Sequence, residues 1–326
     1  MLSNGEKLGA FIVPTGVAAS IGGFAGDASV YAKKFSNISK LIVNPNVVNA
    51  GCFSGINDNM FYVEGFSLDS FFKKEISILP SNNNKIGVIF DKSIPQKVLN
   101  IHINTINAVK TVYGIDIYGY DVTENEVGID FYINEYNISI GTVNNLETIK
   151  NSAKRLLSCG CNAIAICCLF KDGDDENYSL NGGVDPIGGV EAIVSHYVSK
   201  ELKVPCAHSP AFCDYQIYSD IVDKRASAEY ITPTFLPCVL LGLNNAPKIV
   251  SYSKNYISLD NLDYLVMPHN SLGSIPVFEA LKNGITIFSV KENSTVLNVT
   301  SDNLFKNSGI IVLDTYEQVL EQVKLL

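Results

Sequence analysis

The sequence predicts an α/β fold of two Rossmann-like lobes with mostly parallel sheets and a cleft between them. Three observations lead there. Short apolar runs, such as that within Lys85–Asp91 and the wholly apolar Ala163–Phe170, have the length of strands buried on both faces of a parallel sheet. These runs alternate with segments of helical spacing, which is the pattern of βαβ units. At 326 residues the chain is near the length at which one hydrophobic core gives way to two. The division expected is an N-terminal α/β lobe over residues 1–143, carrying a Gly-rich loop, and a C-terminal α/β lobe over 144–326, carrying a βαβ unit around His269.

In chain order, Gly9–Pro14 reads as a first strand. The glycine-rich stretch Thr15–Asp27 leads into a helix that ends near Phe35, and Leu41–Val43 returns as a strand. Gly22, Gly23 and Gly26 stand where a backbone turns tightly or admits a ligand, and Asp27 closes the loop. The stretch has neither dinucleotide-binding nor Walker spacing. The alternative is a helix start packed closely on a sheet. On the ligand reading, Gly23→Val abolishes binding at little cost to the fold. Asn44-Pro-Asn-Val-Val-Asn49 follows a strand and is dense in Asn and Pro, so it is a structured loop that offers Asn44 and Asn49 to a polar ligand.

Phe61–Glu64 is a short strand. Lys85–Asp91, the helix from Pro95 to Tyr113 and the strand Ile115–Val122 follow. Gly128–Ile140 alternates as an edge hairpin, and Asn145–Ser158 is a helix before the strand Ala163–Phe170. The acidic run Asp172-Gly-Asp-Asp175 lacks the alternating carboxylates of a calcium loop, so no metal site is assigned. Asp185 lies close to the start of the helix Val190–Lys200. Cys206 and His208, two residues apart, share one side of an extended backbone. They form either a thiolate–imidazole pair or a structural one. Cys238 is a core thiol, and His102 and His196 are ordinary helix residues.

The end of the chain is the richest stretch. Asp263–Pro268 is a strand, His269–Ser274 a Gly/Ser-rich loop, Ile275–Gly284 a helix and Ile285–Val290 a second strand. In such a unit ligands gather beyond the first strand, at the helix start. His269, Asn270, Ser271, Gly273 and Ser274 stand there, and an anion is expected on the first-turn N–H groups, with Ser271 otherwise acting only as a cap.

The totals restrict the partner. Lys plus Arg is 24 against 33 Asp plus Glu, a net charge of −9, which opposes a nucleic-acid or anionic-membrane surface. A small-molecule ligand is expected, with a homo-oligomer left open. With Arg155 and Arg225 as the only arginines, an anionic ligand would lean on backbone amides, hydroxyls and Lys. Most of the eight cysteines are read as core thiols in a reduced, cytoplasmic chain, since no secretory signal is evident at the N-terminus. The pairs Cys159/Cys161 and Cys167/Cys168 do not have metal-knuckle spacing. No apolar run reaches the roughly twenty residues of a membrane span.

Seven phrases together resemble a known family: Val13–Asp27, Asn44–Asn49, Tyr62-Val-Glu-Gly65, Gly183-Val-Asp-Pro186, Val204-Pro-Cys-Ala-His208, Thr234-Phe-Leu-Pro-Cys238 and Glu292-Asn-Ser-Thr295. As a set they are similar to the bacterial and plastid family catalogued as domain of unknown function 3326. The resemblance spans nearly the whole chain and implies one α/β unit without an established activity. Leu272–Thr295 also resembles the nucleotide-side βαβ unit of two-domain sugar transferases and epimerases, a likeness at the level of fold. Asn293, within that unit, completes the candidate ligand-binding set. The expected function is an enzyme acting on a small polar or anionic metabolite, with a nucleotide-linked one included, between two lobes. Asp185, Cys206, His208 and His269 are the candidate catalytic groups. The alternatives are a cofactor-independent, thiol-dependent racemase, isomerase or lyase, and a non-catalytic ligand sensor. Reaction and cofactor are not legible.

Overall fold

A computed structural model describes residues 2, 5–23, 26–53, 55–135, 139–170, 184–185, 187–211, 232, 234–304 and 309–326. The chain runs β1 (Leu8–Phe11), α1 (Ser29–Ser36), β2 (Lys40–Val43), α2 (Pro45–Val48), β3 (Met60–Tyr62), α3 (Gly65–Phe72) and β4 (Ile76–Leu79). Then come β5 (Ile86–Phe90), α4 (Gln96–Tyr113), β6 (Ile117–Val122), the pair β7 (Ile129–Ile133) and β8 (Ser139–Val143), α5 (Leu146–Ser158), β9 (Ala163–Cys168), α6 (Gly188–Leu202) and β10 (Cys206–Pro210). The last part holds α7 (Leu236–Asn244), β11 (Lys248–Ser251), β12 (Tyr264–Pro268), α8 (Ile275–Lys282), β13 (Thr286–Val290), α9 (Ser301–Leu304), β14 (Ile311–Leu313) and α10 (Tyr316–Leu325). The acidic run 172–175 and Arg225 lie outside the described residues.

The expected α/β class holds. One sheet has six strands in the order β14-β13-β12-β1-β2-β3, and another has four in the order β10-β9-β5-β6; every neighbouring pair in both is parallel. The expected hairpin is the antiparallel pair β7–β8, and β4 pairs antiparallel with β11. In the six-stranded sheet the chain steps outward from β1 one way and from β12 the other, so its topological switch point is the β1/β12 seam. By the same argument the switch point of the four-stranded sheet is the β5/β9 seam.

The expected boundary between residues 143 and 144 separates strands that pair with one another. β5 and β6 precede it, while their sheet partners β9 and β10 follow. β1–β3 share a sheet with β12–β14. Pairing is set by packing rather than by adjacency in the chain, and the contacts at β1 show how. The Leu8 N–H donates to Asp263 Oδ2 at 2.8 Å, and Tyr264 lays its ring over Gly9, where a Cβ would lie 2.1 Å from Cζ. The Tyr264 hydroxyl then meets Ser39 Oγ at 2.5 Å, tying β12 to the end of α1.

One core joins both sheets. Phe11, Val43 and Tyr62 from the six-stranded sheet and Val88, Phe90 and Ala165 from the four-stranded one belong to a single buried cluster with Leu236, Val239, Leu240 and Leu243 of α7. Every residue of α7 from Leu236 to Leu243 is buried, as expected of a helix that is apolar all round. A second core lies between the other face of the six-stranded sheet and α3 and α8, and a third between the four-stranded sheet and α5 and α6.

Gly9→Ala should lower stability by about 1–3 kcal/mol through overpacking against Tyr264. A urea midpoint measures this. Combining Gly9→Ala with Tyr264→Leu should cost less than the two single losses added together, because the second change opens the space the first requires.

Candidate functional site

Ligand crevices form at switch points because the loops leaving adjacent strands diverge there. At the β1/β12 seam the loop after β1 meets the loops after β2, β12 and β13, so the structure brings together most of the ligand-binding residues expected from sequence. Their side chains tie loop to loop. Asn44 accepts from the Val13 N–H at 3.1 Å and donates to Val13 O at 2.8 Å. Asn293, fully buried, accepts from the Ile21 N–H at 3.0 Å and donates to Ile21 O at 2.8 Å and to the Tyr316 hydroxyl at 2.7 Å. Asn270 donates to Thr295 O at 2.8 Å and accepts from the Thr295 N–H at 2.7 Å. Asn49 accepts from the Tyr62 hydroxyl at 2.7 Å, Ser271 Oγ donates to Pro268 O at 3.3 Å, and His269 Nδ1 pairs with Ser289 Oγ at 3.2 Å. Polar groups satisfied in this way build a rigid rim.

The glycines of the loop answer to backbone crowding. A Cβ on Gly23 would lie 2.2 Å from Ala19 O and one on Gly26 2.3 Å from Asn49 N, while Gly22 and Gly26 hold φ of +84° and +86°. This corrects the expectation that Gly23→Val spares the fold, and it favours the close-packing alternative for the stretch. At the start of α8, Gly273 is exposed, and Ser274 caps the helix with its backbone only, its Oγ buried without a partner. Pro276 contributes no N–H, and the Val277 and Phe278 N–H groups return to Ser274 O. The donor set on which the expected anion depends is thereby reduced.

Asp27 accepts a hydrogen bond from the Gly22 N–H and so closes the loop on itself. Burial raises its carboxyl to about 6, with the Gly22 bond acting in the opposite sense. Tyr31 and Tyr316, whose rings are 4.5 Å apart, share this neighbourhood with Glu292, whose Oε1 accepts from the Tyr316 N–H at 2.5 Å.

The four-stranded sheet presents a second set at the β5/β9 seam. Asp91, buried at the end of β5, accepts from the Val127 N–H at 3.1 Å and from Ser93 Oγ at 2.7 Å. Cys167 and Cys168 end β9. Burial pushes both thiols up, and the charges of Glu191 and Asp91 add to it. Glu191, in the first turn of α6, is 5% exposed. Asp185 accepts from the Ile187 and Gly188 N–H groups, each at 3.0 Å, and so ties the turn that enters α6. The two edges approach each other here, since a Cβ on Gly16 would lie 3.6 Å from Gly189 Cα. The sequence reading did not single out Asp91 or Glu191. The available signals were an acid directly after an apolar strand and an acid just inside a helix that starts with two glycines.

Cys206 and His208 do lie on one face of β10, as expected, but the structure does not make them a dyad. His208 Nδ1 pairs with Ser195 Oγ at 2.9 Å, and burial, followed by the nearby His196, lowers His208 to about 4. Burial pushes the Cys206 thiol well up, with Glu64 adding to it, so the thiolate is disfavoured. Cys206 and Glu64 border a crevice of about 10 Å³, room for about one water molecule, shared with Tyr62, Ser67 and Pro205. Glu64 caps α3 through the Ser67 and Phe66 N–H groups at 2.6 and 2.9 Å. A larger hollow of about 170 Å³ lies near the amino end of β3, lined by Asp58, Ser81 and Asn82. This places it away from the carboxyl edges where both switch points open. Asp185, Cys206 and His269 thus occupy three separate places.

Asp27 makes a pH prediction. Its carboxyl in the folded chain, at about 6, lies above the ordinary 3.8, so the folded state holds the proton more tightly. The stability this lends is complete below pH 3.8 and is lost as pH rises through 6. Asp27→Asn keeps an acceptor for the Gly22 N–H and removes the charge. It should stabilise the protein by about 1–3 kcal/mol at pH 7.5 and flatten the slope of thermal midpoint against pH between 4 and 6.

No solved structure matches the chain. A Synechococcus sp. protein described as an uncharacterized lipoprotein is 32% identical to it over 296 residues, covering 88% of this chain and 82% of its own length. No helix among the described residues is long and apolar enough to cross a membrane. The model of a family described as protein of unknown function, DUF3326, matches residues 9–322, and the chain belongs to that family.

Proposed function

We propose that this protein binds a small polar metabolite in the gap between the carboxyl edges of its two parallel sheets and acts on it by carboxylate-assisted proton transfer. The observation that carries the reading is the approach of Gly16, beyond β1, to Gly189, at the start of α6, close enough that a Cβ on Gly16 would lie 3.6 Å from Gly189 Cα, which draws both switch points toward one gap. The buried acids Asp91 and Glu191 on the four-stranded side suit a ligand that presents hydroxyl or ammonium donors. An anionic or nucleotide-linked ligand is the alternative chemistry, seated by Asn270, Gly273 and Ser274 beside His269. The thiol-dependent racemase, isomerase or lyase loses support with the burial of Cys206.

A non-catalytic sensor of the same ligand is the second reading, favoured by the asparagine-tied rim. A net charge of −9 supports a partner other than nucleic acid, and the seven described cysteines, all unpaired, support a reducing, cytoplasmic setting.

Protein purified under native conditions should release a polar metabolite on denaturation, identified by untargeted mass spectrometry. Thr15→Trp, at an exposed position beside Gly16, should remove that signal while moving the thermal midpoint by less than about 4 °C. An equal yield from the variant would end the proposal. An enzyme should convert the released metabolite, with Glu191→Gln slower by about 100-fold, whereas a sensor converts nothing in either form.

A further inference from the structure

Cys159 is the exposed thiol among the seven described cysteines, and it stands at the amino edge of the four-stranded sheet, away from the proposed ligand gap. It caps α5. The Gly160 N–H donates to Leu157 O at 2.9 Å and the Cys161 N–H to Leu156 O at 3.2 Å, the two bonds of a Schellman stop, with Gly160 at φ +85°. That turn places Cys161 two residues beyond Cys159 and drives it inward, where its Sγ would be 3.1 Å from a Cβ on Gly87.

Two further side chains complete the cluster. The Lys85 N–H donates to Asn162 Oδ1 at 2.8 Å, and the Asn162 N–H returns to Lys85 O at 2.9 Å, fixing Lys85 beside the turn. Its ammonium donates to Cys159 O at 3.0 Å, which offsets the negative end of α5, and lies 4.8 Å from the centre of the Tyr118 ring. The Cys159 thiol lies near enough to Tyr118 to raise its phenol. Burial raises the Cys161 thiol, and the Lys85 charge opposes that rise.

An exposed thiol, a sheltered thiol two residues away and a cation on the turn that joins them make up the parts list of a dithiol that exchanges with disulfides. A bond between residues so close in sequence closes a very short loop and adds little to stability, so it suits exchange better than structure. We propose that Cys159-Gly160-Cys161 is a thiol–disulfide exchange site whose substrates are small or peptide disulfides. The Cys159 thiolate attacks one sulfur of the substrate, forming a mixed disulfide and expelling one thiolate. The Cys161 thiolate then attacks the Cys159 sulfur, forming the 159–161 disulfide and expelling the second. Two electrons pass to the substrate disulfide, and the two protons of the cysteines end on the two product thiols.

Oxidised glutathione is the probe, with the reduced full chain in a Cys213→Ser background, which removes the thiol that lies outside the described residues. Two glutathione molecules should be released per chain, and tandem mass spectrometry should place a disulfide between Cys159 and Cys161. Cys161→Ser and Cys161→Ala should hold a single glutathione adduct on Cys159 that clears at least about tenfold more slowly than in the parent. Cys159→Ser should gain no adduct under native conditions. A parent that retains its Cys159 adduct as long as the Cys161 variants do, or that gains none, would overturn the proposal.

Discussion

Helix α7 is the constraint on which the rest of the molecule depends. From Leu236 to Leu243 it has no solvent face, so it forms stably only where other elements cover it on all sides. The four-stranded sheet, α4 and the β3 edge of the six-stranded sheet supply that cover. Tyr62 packs so close that a Cβ on Gly242 would lie 2.6 Å from its ring. Each fully buried leucine there contributes about 1.5–3 kcal/mol relative to exposure. Separating the two sheets would return that apolar surface to water, and for this reason two sheets with separate strand orders behave as one folded unit.

The position of α7 also decides where a ligand can sit. The space between the faces of the sheets is filled by leucine, valine and cysteine, with Cys238 pushed up to about 12 by burial. What is left lies along the carboxyl edges. There the chain uses short amide side chains instead of arginines to hold irregular loops, since an Asn supplies one acceptor and two donors and can close a backbone pair by itself. Asn44 on Val13 and Asn293 on Ile21 both do this. The loops are thereby tied together by amides, and the acids Asp91 and Glu191 lie buried beside them.

The cysteines divide along the same lines. Six of the seven described are buried, and burial drives Cys52, Cys167, Cys168 and Cys206 away from the reactive thiolate, so their chemistry is that of small apolar residues. Cys159 differs only because α5 stops where it does. The Schellman turn leaves one thiol outside and puts its neighbour inside.

The sequence by itself determined the α/β class, the buried parallel strands, the β7–β8 hairpin and the cluster of asparagine and glycine at the strand ends. Apolar runs of strand length and the 3.6-residue spacing are local properties, and a fully buried strand such as Ala163–Cys168 is written in consecutive apolar residues. It did not determine which strands pair. β1 reaches β12 because Gly9 has no side chain and Tyr264 fills that space, a fit invisible from either residue alone. Nor did it determine the use of the polar residues. Asn293 and Asp185 read as site residues in sequence and serve as a loop tie and as the tie of the turn before α6 in the fold, because a buried backbone N–H takes the nearest oxygen available to it. Only the tertiary structure decided that His208 pairs with Ser195 rather than with Cys206, and that burial, with His196 acting on His208 and Glu64 on Cys206, sets their protonation.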